Sequence, residues 1–451
     1  MVVQLLFAIE GLRMDKFFKF TERGSSLGTE VRAGITTFLA MAYIIAVNPS
    51  LLAAAGIPVS AAVTSTCFAA GIMTILMGLF SNRPLACASG MGINAVVAFS
   101  LTAAAGGDWK VAMAVILLEG LIILALVLCG LREAIMDAVP VSLRHAIAVG
   151  LGIFIALLGL INGGIVVNDD ATLITFGSVY NPVFLVGMIS IVATFVLYVF
   201  KIKGYILWGI IIAAVAGIPL GVTALPEAIV SMPDFTTFGA PFQAAADGSG
   251  MAIVKVFVNP TLLVFVFSIM LSDFFDTMGT AVAVGKQGDF LDEDGNVKDI
   301  RPILIVDSLA ASVGGLLGAS SCTTFVESSA GAADGGRTGL TSIVTGIIFL
   351  LAAFFSPLVG MIAAPATCGA LVMVGFLMMN VVSDIDFTNP LDGIPAFMTI
   401  IGIPLTYSIS IGIGLGFLTY TVMAACTGNI KKVKPLTWLV DIAFIISFMV
   451  A

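Results

Sequence analysis

The sequence predicts an all-α polytopic membrane protein of about fourteen spans, with short extended stretches breaking the third and the tenth. Three observations carry that prediction. Hydrophobic residues make up 59% of the 451 and charged residues only 10%, with a mean hydropathy of +1.15, whereas soluble domains are roughly one-quarter charged. Long apolar runs alternate with brief polar breaks, and at roughly 20 residues per crossing the length accommodates about twelve to fifteen of them. Finally, carboxylates stand inside apolar sequence, in Asp273-Phe274-Phe275-Asp276-Thr277 and in Ser321-Cys322-Thr323-Thr324-Phe325-Val326-Glu327-Ser328-Ser329. A carboxylate at bilayer depth is unfavourable unless it faces protein, water or ligand, so three together point to a substrate or proton pathway.

In chain order the expected spans are 32–55, 60–80, 84–104, 109–129, 139–161, 182–200 and 205–222, closed by a long polar connection over 223–259. The second half gives 260–285, 303–318, a broken element over 319–333, then 340–355, 364–381, 394–403 and 405–426. The last apolar run, 436–450, is short enough either to span or to lie at the interface. The apolar run 1–9 is short and is followed by a polar stretch, so no cleaved signal is expected and the first span inserts as it stands.

Charge placement agrees with that parity. With the N-terminus inside, Arg13, Lys16, Lys19, Arg23, Arg83, Arg132, Arg144, Lys201, Lys203, Lys286, Lys298, Arg301, Arg337, Lys431, Lys432 and Lys434 all fall in cytoplasmic connections. Lys110 and Lys255 fall outside, together with the acidic loops 168–180 and 223–259. The formal net charge of -8 therefore belongs to loops and buried acids, and no nucleic-acid partner follows from it. Six cysteines sit singly, without the paired spacing of zinc or redox sites; no metal or cofactor is expected. Cys322 alone stands beside an acidic signature.

Two elements fail as ordinary spanning helices, and they occupy matching third positions of the two halves. In Pro84-Leu85-Ala86-Cys87-Ala88-Ser89-Gly90-Met91-Gly92-Ile93-Asn94-Ala95, proline, small residues and glycines interrupt the helix. Over 318–331 a Ser, Cys and Thr cluster favours an extended segment leading into a helix near Glu327. Interrupted spans in corresponding positions are the best sequence pointer to a transporter's midplane site.

The strings Gly34-Ile35-Thr36-Thr37-Phe38-Leu39-Ala40-Met41-Ala42-Tyr43-Ile44-Ile45 with Asn48-Pro49, Gly90 to Ala95, Asp273 to Thr280, and Glu327-Ser328-Ser329-Ala330-Gly331 with Gly335-Gly336-Arg337-Thr338-Gly339-Leu340 resemble the nucleobase–cation symporter-2 family, and within it the hypoxanthine, adenine and guanine permease branch. The resemblance runs in order from about residue 17 to residue 428. It implies two inverted repeats of seven spans, 32–222 and 260–426, flanked by a cytoplasmic segment 1–31 and a C-terminal segment 427–451. It also implies a core domain (32–129 plus 260–355), a gate domain (139–222 plus 364–426) and a possible homodimer. The family's purine positions map onto Asn94, Asp273, Asp276 and Glu327. Thr280 stands where the uracil and xanthine branches carry a polar or histidine residue, which places the chain with the purine branch and leaves His145 without a proton role.

The chemistry of those residues fits independently. Asp273 and Asp276, three apart, project from one face of a helix, with Thr277 and Thr280 following. A carboxylate accepts two parallel hydrogen bonds, which suits adjacent N–H groups on a purine edge. Acids this close in low dielectric do not all ionise, so one is a candidate carrier of a coupled proton. Glu327 is assigned to ligand binding, Asp276 to ligand and proton, Asp273 to support, and Asn94 to the opposite broken element. Phe325, with Phe274 and Phe275, is a candidate stacking ring, although packing is the simpler role for phenylalanine in a membrane helix.

Plainer readings hold elsewhere. Glu327 would also serve as a helix cap, and Asp273 as a tie between helices. Glu119 and Asp307 read as structural polar contacts, His145 as a packing histidine, Arg337 as a loop anchor, and the glycine-rich run 409–417 as a close-packing face. An anion exchanger of similar fold would want Lys or Arg at the broken elements, and neither 84–104 nor 319–333 holds one. An intramembrane hydrolase using the acids has no metal-ligand histidine motif behind it. The expectation is therefore a secondary active importer of purine nucleobases, driven by protons rather than sodium. It would lie in the plasma (inner) membrane and have no catalytic residues.

Overall fold

Within hydrocarbon a chain has to satisfy its own backbone N–H and C=O groups, which restricts a sequence this apolar to helices, save where two unwound stretches can pair. The computed structural model describes residues 14–130, 140–226, 228–248, 250–292 and 297–450. Arg13, Arg132 and the run 1–9 lie outside the described residues, as do the side chains of Phe275 and Lys432.

The first crossing is α1 (Leu27–Met41) and α2 (Ile44–Ala54), jointed at Ala42 and Tyr43. It starts ahead of the expected residue 32 because Ser26 caps it, accepting from the Thr29 N–H. Glu30, in its first turn, is buried as an anchor. Its carboxylate accepts from the Arg337 and Thr338 N–H groups and from the Thr338 and Thr341 hydroxyls, at 2.6 to 3.3 Å. After α3 (Val59–Ser81) come strand β1 (Cys87–Ser89), the short α4 (Met91–Ala95) and a wide π turn over Val96–Leu101. Next is α5 (Trp109–Leu128), capped by Asp108, which accepts from the Lys110 N–H at 3.0 Å.

Helix α6 (Val141–Asn162) leads into a hairpin of β2 (Val166–Asp169) and β3 (Leu173–Phe176), closed by Asp169, whose Oδ1 accepts from Ala171 and Thr172. Then come α7 (Pro182–Val199) and α8 (Tyr205–Gly217). The connection over 223–259 is not irregular throughout, since its end forms α9 (Ala252–Val258), which packs on α5. The second half is α10 (Pro260–Gly288), α11 (Ile300–Leu317), β4 (Cys322–Thr324), α12 (Ser328–Ala333), α13 (Gly339–Ala352), α14 (Cys368–Met378), α15 (Pro390–Thr406), α16 (Ile409–Cys426) and α17 (Pro435–Val450).

Two expectations need correction. The fold is mostly helical rather than purely so, with two two-stranded sheets, β1–β4 and β2–β3. The break expected at residue 404 falls later: α15 continues through Pro404 and stops where Tyr407 turns left-handed (φ 54°) and Ser408 caps α16, accepting from the Ile411 N–H. Among the described residues, nine helices are long and apolar enough to cross a membrane, and four shorter apolar stretches accompany them: Met91–Ala104, Tyr205–Gly217, Pro390–Thr406 and Ile411–Cys426. Of these, Met91–Ala104 follows strand β1, Tyr205–Gly217 starts after the left-handed Gly204, and Pro390–Thr406 contains Pro395 and Pro404.

Close packing needs small residues where the hydrophobic effect no longer separates helix from lipid. Gly120 on α5 lies against the Ser312 backbone of α11, where a β-carbon would collide. Gly152 of α6 and Gly375 of α14 meet in the same way. The pairs α3–α13, α5–α11, α3–α11 and α1–α13 form one packed group; α6–α14, α6–α15, α15–α16, α7–α8 and α7–α14 form another. Helix α17 packs on α16 and α10, tied by the Thr421 hydroxyl donating to buried Asp441 at 2.5 Å.

Candidate functional site

Two unwound stretches carry the site, and each supplies what the other lacks. Strands β1 and β4 pair antiparallel with Cys87 opposite Thr324, Ala88 opposite Thr323 and Ser89 opposite Cys322. Beyond the strands, the Gly90 N–H donates to the Ser321 carbonyl and the Phe325 N–H to the Ala86 carbonyl, both at 2.9 Å; the Ala86 N–H donates to Ser328 Oγ at 3.0 Å. Extended backbone is thereby satisfied without water, and α4 and α12 start from the two ends of one buried sheet.

Asp307, near the middle of α11, pins this sheet to α10. It accepts from the Thr277 hydroxyl at 2.5 Å, the Thr323 hydroxyl at 3.1 Å and the Thr324 N–H at 3.0 Å. The structural role read for Asp307 thus has a definite object, the register of β4 against the helix that carries Asp273 and Asp276.

Glu327 stands at the N-terminal boundary of α12, half-buried, and its Oε1 accepts from the Tyr43 hydroxyl at 2.6 Å. Tyr43 is fully buried at the joint between α1 and α2, so the break in the first crossing delivers this phenol. Asp276 is exposed and lies close enough to Glu327 and Asp307 to interact with both electrostatically. Tyr205, at the start of α8, approaches Glu327 from the other helix group.

The remaining sequence-predicted residues divide. Asn94 on α4 is fully buried; its Nδ2 donates to the Ser89 carbonyl at 3.3 Å and its Oδ1 meets no donor among the described residues. Asp273, one helical step from Asp276, is buried rather than exposed, and Thr280 is buried below it. Phe274 packs with Ile123, Val127 and Met270, while Phe325 belongs to the main core. Only Asp276 and Glu327 of these acids reach open space.

Sequence reasoning missed Tyr43 and Tyr205. The first lay in plain view in the Ala42-Tyr43 string, and its partner is 284 residues away. Two apolar hollows, about 200 and 420 Å³, lined by Leu263, Val264, Phe267 and Phe444 and by Met188, Ile189, Val192, Ala193 and Val196, hold none of the acids. Among the described residues no group of three or more His, Cys, Asp or Glu is arranged to hold a metal ion.

One polar tie joins the two helix groups beside the site. Asp334, in the turn after α12, accepts from Lys203 before α8 at 2.5 Å and from the Thr36 hydroxyl at 2.6 Å. The Lys203 and Thr36 hydrogen bonds hold its carboxyl below the usual carboxylate range, against a smaller opposing effect of burial. A depressed carboxylate contributes stability that is present above its unfolded value, about 3.9, and is lost as pH falls through the folded one. Thermal midpoints should therefore fall in wild type on acidification below about pH 4, and the part due to Asp334 should vanish in Asp334→Asn. The difference should be small and reduced by salt, since the Lys203 side chain is exposed.

Comparison with known proteins follows the same lines. Residues 28–421 match the model of a family described as Permease family. The guanine/hypoxanthine permease PbuG of Bacillus subtilis (strain 168) is 37% identical over 97% of this chain and 99% of its own. The adenine permease AdeP of Escherichia coli (strain K12) is 36% identical over 97% of this chain and 96% of its own. Among solved structures, the transmembrane domain of the cyanobacterial bicarbonate transporter BicA superposes with a TM-score of 0.61 at 14% identity, over 85% of this chain and 97% of that one. The murine anion transporter Slc26a9 gives 0.60 at 9% identity, over 89% and 69%. At such identities the likeness concerns the fold alone.

Proposed function

The chain belongs to the nucleobase–cation symporter-2 family of permeases and is not an enzyme, and on that premise we propose that it imports purine nucleobases, among them adenine, guanine and hypoxanthine, together with a proton. The observation that carries this reading is Glu327, oriented by Tyr43 and neighboured by Asp276 where both acids reach open space. Carboxylate oxygens accept from the N–H groups of a purine edge, and a protonated carboxyl donates to a ring nitrogen. Asn94, with its unoccupied carbonyl oxygen, adds an acceptor from the opposite broken element.

The anion reading rests on the fold neighbours alone. An anion site calls for cations at the broken elements, where 84–104 and 319–333 supply none. In the proposed mechanism a core of 32–129 plus 260–355 moves against a gate of 139–222 plus 364–426 and exposes the site alternately. The packing pattern supports this division: α3–α13 and α5–α11 exchange with each other when the two halves are exchanged, as expected for inverted repeats that would bring the spans to fourteen. The acids Asp276, Glu327 and Asp273 are the ligand-side network. The proposal extends to a plasma (inner) membrane location with a cytoplasmic N-terminus and to a homodimer.

The test is uptake of radiolabelled hypoxanthine, adenine, guanine and uracil into proteoliposomes with and without an inward proton gradient. Saturable purine uptake enhanced by the gradient is expected, with uracil poorly taken up. Purine uptake indifferent to the gradient would remove the proton role, and no purine uptake would remove the substrate class.

A further inference from the structure

Beside Asp307 and Ser321 lies an acid that the proposed transport cycle leaves unused. Glu119 stands near the middle of α5 and is fully buried. Its carboxylate is turned towards Ser321, just before β4, and towards Asp307 on α11, yet neither of its oxygens completes a hydrogen bond. The Ser321 hydroxyl is likewise fully buried and completes none.

Among the described residues no cation offsets it. Of the elements packed on α5, α11 presents Asp307 and, at its exposed start, Arg301, which donates to the Leu128 carbonyl. Helix α10 presents Asp273 and Asp276, and α9 presents Lys255, paired with Asp247. The π turn, Thr102–Ala104 and Ala240–Phe242 carry no titratable group. Lys110, at the outer end of α5 itself, donates to the Ala244 carbonyl. Asp307 is supplied with three donors and suits the ionised form; a buried carboxyl that faces one hydroxyl and another acid suits the neutral one.

We propose that Glu119, with Ser321, is the proton-binding site of transport, separate from the acids that face the purine. This rests on the transport reading above and deepens it. The carboxyl takes one proton on one side of the membrane and returns it on the other, with only an O–H bond formed and broken. A proton is the cation that fits, because hard metal ions gather about six oxygen ligands and one carboxyl with one hydroxyl supplies far fewer. Coupling is built into the contacts: ionised Glu119 would repel Asp307, and Asp307 holds both Thr277, beside Asp276, and strand β4, which leads into Phe325 and Glu327. The charge state of Glu119 is thus felt, through Asp307, at Asp276 and Glu327.

Glu119→Gln mimics the protonated acid and tests this in proteoliposomes. Purine counterflow at equal pH on both sides should stay within about twofold of wild type, while accumulation driven by a proton gradient should fall by about tenfold or more. Ser321→Ala, a smaller change, should keep accumulation and shift the pH of half-maximal uptake. Accumulation by Glu119→Gln equal to wild type would overturn the assignment, as would loss of counterflow together with accumulation in folded Glu119→Gln, or an unshifted profile in Ser321→Ala. Accumulation driven by sodium in wild type at equal pH would overturn it too. Failure of wild type to move purines at all is a different result, and would sink the transport reading itself.

Discussion

Replacement of Glu327 by alanine is expected to lower purine uptake at subsaturating substrate by about a hundredfold or more, equivalent to roughly 2.7 kcal/mol. The size follows from what is removed. A carboxylate making charge-assisted hydrogen bonds to a bound base contributes about 1.5–3 kcal/mol for each bond, and an acid that reaches open space is positioned to give its bonds to the ligand. Glu327→Gln keeps the shape and one acceptor, and should fall between alanine and wild type. Tyr43→Phe removes only the phenol that orients Oε1 at 2.6 Å. Its expected loss is about tenfold, one hydrogen bond to a charged group, and it should be expressed mainly in KM because the carboxylate itself remains. Initial rates of radiolabelled adenine and hypoxanthine uptake over a substrate series separate the three variants. Equal loss in Tyr43→Phe and Glu327→Ala would show that the pair acts as a structural tie and not as an oriented ligand.

The contrast between what the sequence revealed and what it concealed is a contrast between local and long-range chemistry. Asp273, Asp276 and Glu327 stand out because a carboxylate in an apolar run is costly wherever the chain goes. The broken elements stand out because proline, glycine and serine clusters cannot propagate a helix, and their meeting as β1 and β4 is the means by which two such failures satisfy each other's backbone. Membership of the permease family was likewise legible, in motif strings that keep their order along most of the chain. Tyr43 and Tyr205 were not distinguished, since an aromatic residue in a membrane helix is ordinary and its importance lies in a neighbour far along the chain. Nor could spacing reveal that Asp273 and Asp276 occupy different environments. Three residues along a helix turn a side chain by about 60°, enough to leave one acid in the core and the other at an opening. The end of α15 was misplaced for a related reason: Pro404 is a strong local signal, but the left-handed Tyr407 and the cap at Ser408 decide the boundary.

Asp307→Ala should produce the opposite phenotype to Glu327→Ala, a protein that fails by unfolding instead of by losing its ligand. The side chain receives the Thr277 and Thr323 hydroxyls and the Thr324 N–H, all buried. Each buried donor left without an acceptor destabilises by about 1–3 kcal/mol. Thr277 has a second acceptor in the Asp273 carbonyl at 3.0 Å, so the sum is nearer the lower end, about 3–5 kcal/mol. That loss falls on the contact that fixes β4 against α10, and the whole sheet should loosen with it. Asp307→Asn retains one oxygen, which can still serve Thr323 and Thr324, but turns an amide towards the Thr277 hydroxyl; about 1–2 kcal/mol is expected. The measurement is the thermal midpoint of detergent-solubilised protein, followed by size exclusion, alongside adenine binding to whatever remains folded. The expected order is wild type, Glu327→Ala close behind it, then Asp307→Asn, with Asp307→Ala far below. If Asp307→Ala were as stable as Glu327→Ala and yet unable to transport, Asp307 would not be the pin of the sheet, and its carboxylate would have to be assigned to the transport step itself.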